Sequence, residues 1–246
     1  MIKKRPAVAL APALAALALL PFVAQGAIIT PTDLNSLSLG AFINGPVGTT
    51  VDAYFTNTAG NSLGDISGGV ACPDSFAACT PPTNPADTIY TYVYEINPGV
   101  NILAADPPFQ PKPPLATPLF DDVTEFRLDL APGSNGVAGF NFSQATAALG
   151  AGTTFQIELL DEVLTWTVSG GTGAWNTGEL ITLFWQTTQP PSGPDRVYGI
   201  TNAGDSGGAI GPSPTPLAAA PIPGSLPLVV AMLPGLMWSR RRWNKR

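Results

Sequence analysis

The chain has 246 residues, 45% of them hydrophobic, with 11 Lys and Arg, 17 Asp and Glu and no histidine. Eight of the cations lie at the two ends; only Lys112, Arg127 and Arg196 stand among the 17 acids of the middle, whose net charge is therefore −14 rather than the −6 of the whole chain. That balance excludes nucleic acid as a partner, because phosphate contacts need Lys and Arg, and the absence of histidine excludes every histidine-based nucleophile or metal site.

In chain order, Lys3, Lys4 and Arg5 form a basic start, residues 7–24 an Ala/Leu-rich apolar run, and Ala24-Gln25-Gly26 a small-x-small site. This is the pattern of a secretory signal peptide over residues 1–26, cut before Ala27 by signal peptidase. The middle, residues 27–211, shows no convincing helix. It shows short runs rich in β-branched and aromatic residues: 51–56 (VDAYFT), 88–96 (TIYTYVYEI), 123–130 (VTEFRLDL), 139–142 (GFNF), 154–159 (TFQIEL), 164–168 (LTWTV), 180–187 (LITLFWQT) and 196–200 (RVYGI). In 123–130 the alternation puts Phe126, Leu128 and Leu130 on one face and Val123, Glu125, Arg127 and Asp129 on the other. With 26 glycines and 27 prolines as punctuation, the pattern predicts an all-β fold, a single antiparallel β-sandwich.

Cys72 and Cys79 are the only cysteines. In an exported chain they predict one local disulfide, which shapes a loop more than it holds up the domain, with free thiols as the other reading. Residues 106–118 hold six prolines in 13 positions. That stiff segment reads as a long inter-strand loop in preference to a linker between two domains. Gly204-Asp205-Ser206-Gly207-Gly208 spells the surroundings of a chymotrypsin-like nucleophile, but no histidine exists to take the proton of Ser206, and Lys112 is the only lysine of the middle. The segment therefore reads as a loop ahead of a Pro/Ala spacer at 212–220.

The acid pairs Asp121-Asp122 and Asp161-Glu162 read as solvated surface acids. Neighbours on a strand point to opposite faces, so neither pair is a glycosidase dyad, and no calcium-loop spacing accompanies them. No catalytic residue, cofactor or metal site is expected. Trp166 and Trp185 fall where core is expected, whereas Trp175, in a Gly-rich turn, is predicted to be exposed and is the candidate glycan contact. Asn141-Phe142-Ser143 fits an acceptor sequon.

The C-terminal 26 residues carry the most information. Pro221-Ile222-Pro223 precedes an apolar run at 226–238, which is followed by the basic stop Arg240, Arg241, Arg242, Lys245 and Arg246. Thirteen apolar residues as a helix cover only ~20 Å of a hydrocarbon layer ~30 Å thick, and Pro227, Pro234 and Gly235 weaken the run further. It predicts a short transmembrane segment held with its basic end in the cytoplasm and then cut; a plain short anchor is the alternative.

This tail resembles a PEP-CTERM sorting signal, the bacterial C-terminal signal processed by membrane-embedded exosortases. Pro221-Ile222-Pro223 matches the Pro-x-Pro element, in a variant with Ile222 where the commonest form has glutamate, and residues 240–246 match the Arg-rich end. The middle is similar, more loosely, to the β-rich bodies of some PEP-CTERM proteins, through the strand at 92–96 (YVYEI), the strand at 164–167 (LTWT), Gly178-Glu179, Leu183-Phe184-Trp185 and Pro190-Pro191. The resemblance implies an exosortase-type membrane transpeptidase as partner, a cell-surface or extracellular-matrix destination, and association with exopolysaccharide or biofilm. The expectation is a non-enzymatic exported protein; the alternative is a carbohydrate- or Ca²⁺-binding adhesive module working through Trp175 and the surface acids.

Overall fold

The computed structural model describes residues 26–43, 51–81, 83–103 and 111–215. The chain is mostly β, as the alternating runs predict. The strands are β1 (Ala27–Ile29), β2 (Thr32–Asp33), β3 (Leu39–Phe42), β4 (Val51–Thr56), β5 (Ser62–Pro73), β6 (Tyr90–Pro98), β7 (Glu125–Leu128), β8 (Ser134–Phe140), β9 (Thr153–Leu160), β10 (Val163–Gly170), β11 (Ile181–Thr187), β12 (Pro191–Thr201) and β13 (Ser206–Pro214).

Hydrogen bonding is continuous along the order β1-β9-β10-β7-β12-β13-β4-β5-β6-β11-β8-β2, with β3 paired to β5 off this path. Every pairing is antiparallel except β2 with β8. β1 and β2 lie at opposite ends of that order, yet only Thr30 and Pro31 separate them in sequence. Two residues span too little distance to join the edges of a flat sheet of this width, so the sheet curls until its edges approach. The Trp166 indole on β10 donates to the Gly139 carbonyl on β8 at 3.1 Å, through the interior that the curl encloses.

The interior is aromatic. Phe55, Tyr94, Phe126, Phe155, Trp166, Trp185 and Tyr198 are all buried. On β7 the predicted alternation holds for Phe126 and Leu128 inside and Arg127 outside; Val123, expected on the outer face, is buried too and bridges to Trp175. Each such ring removes enough apolar surface from water to contribute roughly 1.5–3 kcal/mol.

Four sequence expectations are corrected. Residues 142–149 are a helix, α1 (Phe142–Leu149), where the reading placed a strand at 139–142 and no helix at all. The Asn141 side chain accepts from the Gln144 N–H at 3.1 Å and caps it, Gly150 ends it with φ 80°, and Ala145 and Leu149 are its buried side. Asn141, the sequon asparagine, thus serves as a helix cap. Second, the sequence pattern places strands before residue 105 only at 51–56 and 88–96, yet β5, 12 residues long, lies between them in the middle of the sheet. Its glycines hid it, and Gly64 is needed there: with φ 148°, an added Cβ would stand 2.6 Å from the Asn97 carbonyl oxygen.

Third, the spacer expected at 212–220 begins later, because β13 runs to Pro214. Its prolines face prolines of β12, with Pro214 opposite Pro191 and Pro212 opposite Pro194, so few ladder donors are lost. Fourth, the Gly204–Gly208 segment is not a free loop but the β12–β13 hairpin, closed by Asn202, whose side chain accepts from the N–H groups of Gly204 and Asp205, both at 2.8 Å. The proline-rich segment does run between strands of one sheet: Leu115 bridges to Ser62, and the Ser62 N–H donates to the Pro114 carbonyl at 2.7 Å.

The β9–β10 turn consists of Asp161 and Glu162, both at positive φ (50° and 64°). This is the geometry of a two-residue hairpin turn that asparagine and glycine adopt readily and glutamate does not. Glu162→Gly is therefore expected to raise stability by about 0.5–1 kcal/mol, the relief of left-handed strain less the added chain entropy. Chemical denaturation of the two proteins side by side checks it; a lower midpoint for the glycine variant would refute it.

Candidate functional site

The residues singled out in the sequence do not converge on one site. Trp175 is fully buried, not exposed: its indole N–H donates to the Glu179 carbonyl at 2.6 Å and its ring meets Phe155 edge to face at 5.7 Å. The Gly-rich turn folds inward because Val123 pairs with Trp175 across an isolated bridge. The expected exposure of Trp175 is thereby corrected: its enclosed ring presents no face to solvent. Trp166 and Trp185 are core, as expected.

Asp121 accepts from the Thr177 N–H at 2.8 Å, and hydrogen bonds from Thr177 hold its carboxyl below the usual range. It fastens one connection to another. Asp161 and Glu162 are the exposed turn already described. In the Gly-Asp-Ser-Gly-Gly segment the Asp205 carboxylate is taken up by the Asn57 side chain at 2.7 Å and the Ser206 N–H at 2.8 Å, so it pins the hairpin rather than orienting a base.

Cys72 and Cys79 form the expected disulfide, with both residues buried. The Asn84 amide donates to the sulfur of Cys72 at 3.3 Å and to the Tyr90 hydroxyl at 3.2 Å, tying the short loop to β6. Gly26 and Ala27, on the two sides of the expected signal-peptide cut, stand where the described body begins, and β1 opens at Ala27. Ala24, the motif Pro221-Ile222-Pro223 and the basic stop Arg240, Arg241, Arg242, Lys245 and Arg246 lie outside the described residues. Among the described residues no helix is long and apolar enough to cross a membrane.

Of the concavities on the described surface, two lie over the middle strands of the sheet. A shallow one of about 670 Å³ spans β4, β7, β12 and β13 over a floor of Gly199, Gly207 and Gly208. Its cation, Arg127, is engaged with Asp129 at 2.8 Å. The other, about 390 Å³, lies over β4, β5 and β6 and gathers Asp52, Asp65, Glu95, Ser67 and Asn97. The register explains the gathering: Asp52, Ser67 and Glu95 form one row across the three strands, and Asp65 and Asn97 are partners in the row beside it.

Asp65 is the unusual member, since its side chain is 1% exposed. One carboxylate oxygen, Oδ2, accepts from the N–H groups of Ile102 and Leu103 at 2.7 and 3.1 Å. The other, Oδ1, is buried without a partner, and so is the Asn97 side-chain oxygen. Burial pushes the Asp65 carboxyl up; the two backbone donors and the charge of Lys112 pull against it, and Asp52 adds to the rise. Sequence reasoning passed over this cluster. The available signal was an aspartate inside a run of small and apolar residues at 62–71, with Glu95 and Asn97 on the solvent side of an otherwise aromatic strand. Among the described residues no three His, Cys, Asp or Glu side chains stand together as a metal cluster.

No protein-family model, curated protein or solved structure matches this chain.

Proposed function

We propose that this is an exported, non-enzymatic protein delivered to the cell surface or extracellular matrix by an exosortase-type system, and associated there with exopolysaccharide or biofilm. The observation that carries the reading is the tail: Pro221-Ile222-Pro223, a 13-residue apolar run too short for a comfortable span, and five cations in the last seven residues. A signal-peptide pattern at the other end supports it. The Cys72–Cys79 disulfide is compatible with an oxidising destination, and the body opens its first strand at the residue expected after signal-peptide removal. The segment order proposed is a signal peptide to residue 26, a curled-sheet body, a short spacer after β13, and the sorting signal from 221. The non-enzymatic reading rests on a chain without histidine and on a Ser206 segment whose aspartate is committed to structure.

Intact-mass and C-terminal peptide analysis of the protein from its native host tests the reading. The expected result is a chain that starts at Ala27, lacks everything after the 221–223 region and is recovered from the surface or matrix. A chain ending at Arg246 in the membrane fraction would make the tail a plain anchor and end the sorting hypothesis.

A further inference from the structure

The strap formed by β1 and β2 ties the two ends of the curled sheet, since β1 bonds to β9 and β2 to β8. Ile29 on β1 is buried, and at the far end of the strap the Asp33 carboxylate accepts from the Phe142 N–H at 3.2 Å. At the near end Gly26 lies against Glu158 of β9, so close that an added Cβ would stand 2.7 Å from the carboxyl carbon. Covalent geometry puts the Ala27 nitrogen about 3 Å from that Cβ position, and therefore within about 6 Å of the carboxyl group. Glu158 is half-buried, and among the described residues the one ion pair is Arg127–Asp129, so Glu158 is without a cation.

We propose that Glu158 is the seat of a new N-terminus: the α-ammonium group freed when the chain is cut before Ala27 pairs with its carboxylate and fastens the strap. The inference rests on the signal-peptide reading and deepens it, because removal of the leader then supplies a charge that the uncut chain lacks. Hydrolysis of the Gly26–Ala27 peptide bond adds one water, leaving a carboxylate on the departing leader and an amine on Ala27 that is protonated below about pH 8. The face it enters is acidic. Glu125 on β7 and Asp161 in the β9–β10 turn share a concavity with Glu158. Arg127, two strands over in the same row, is engaged with Asp129, and β8, β10 and α1 carry no ionisable side chain. An ammonium group set beside these carboxylates is held in its charged form. In the uncut chain the same nitrogen is a neutral amide, and the strap gains nothing from Glu158.

The test uses the chain from Ala27 to Arg246, which contains every strand of the body. It is prepared with a free amine and with Ala27 acetylated, each also as Glu158→Gln. The pKa of the Ala27 amine, read by NMR titration, is expected about 0.5–1 unit above its ordinary value of roughly 7.7–8.0, a three- to tenfold gain in proton affinity, and to return to that value in Glu158→Gln. An amine whose pKa is raised by folding stabilises fully below its unfolded value and ceases to do so as pH rises through the folded one. The free-amine chain is therefore expected to melt roughly 1–3 °C above the acetylated chain at about pH 6.5, with the gap closing above about pH 9.

Glu158→Gln should close the gap at every pH while leaving the Tm of the acetylated chain within about a degree, which separates loss of the pair from damage to the fold. Asp74→Asn, on an exposed turn elsewhere, should keep the gap. An Ala27 amine that titrates at its ordinary value, or a gap that Glu158→Gln leaves unchanged, overturns the proposal. Because this chain is made to begin at Ala27, those results judge the pairing alone. A first residue other than Ala27 in the protein from its native host overturns the signal-peptide reading, and the proposal with it.

Discussion

Phe126→Ala is expected to cost about 3–5 kcal/mol, the largest single-site loss in the body. Phe126 is fully buried at the point where the two sides of the curled sheet meet. Its ring lies 5.4 Å from Trp166, 5.9 Å from Tyr94, and 6.3 Å from both Phe55 and Tyr198. Those four rings come from β10, β6, β4 and β12, so the cavity left by truncation would open toward every part of the interior. None of its neighbours can collapse into the gap without abandoning another contact: Trp166 is held by its bond to Gly139, and Tyr94 accepts from the Trp185 indole at 2.8 Å. Against a total of 5–15 kcal/mol for a typical domain, such a loss leaves the body marginal. Thermal unfolding should show Tm lower by roughly 6–20 °C. A fall of only a degree or two would mean that the rings around Phe126 repack freely and that the core is not the jigsaw described here.

What was legible in the sequence was the part governed by side-chain chemistry with a period of two. The runs at 88–96 and 180–187 announce themselves because aromatic and β-branched residues fit a pleated surface, and they pair with one another as β6 and β11. The disulfide was legible because two close cysteines, the only two in the sequence, have few alternatives to pairing with each other. β5 and β13 were not, since their glycines and prolines, usually the marks of turns, here answer to neighbours: Pro98 and the Asn97 carbonyl crowd Gly64, and Pro212 faces Pro194. α1 was hidden by its shortness; eight residues that follow a strand directly give the 3.6-residue period little room, and the signal available was Asn141 as cap with Gly150 as stop. Trp175 misled because a Gly-rich turn suggests exposure, whereas the bridge to Val123 that draws it inward is a contact 52 positions away in sequence. The Asp65 concavity is a product of register across three strands, and no local pattern encodes it.

The body is expected to be stable through neutral pH and to lose stability steeply above about pH 10, where tyrosine in an unfolded chain ionises. Burial pushes the hydroxyls of Tyr92, Tyr94 and Tyr198 well above their ordinary value. The sign follows from proton counts. Above pH 10 the unfolded chain releases protons that the folded chain retains, so the unfolded state binds fewer and stability falls as pH rises. Each tyrosine contributes a slope of up to ~1.4 kcal/mol per pH unit, and three together ~4 kcal/mol. A stability of ordinary size would be exhausted within two to three units.

The hydroxyls are tied to structure: Tyr92 donates to the Gln189 carbonyl at 3.2 Å, and Tyr198 donates to the Pro212 carbonyl on β13. Ionisation would remove the donor that holds the last strand before the tail, so that strand and the core should be lost together. Tyrosinate absorbance and circular dichroism followed through an alkaline titration check this. The absorbance of the three core tyrosines should appear in the same narrow pH interval as the loss of β signal. Tyr94→Phe should start less stable by about 1–3 kcal/mol, because the Trp185 N–H loses its acceptor, yet show an alkaline slope shallower by roughly a third. Smooth ionisation of Tyr92, Tyr94 and Tyr198 with the β signal intact would show that these hydroxyls are reached by solvent without unfolding, and the closed aromatic interior would have to be abandoned.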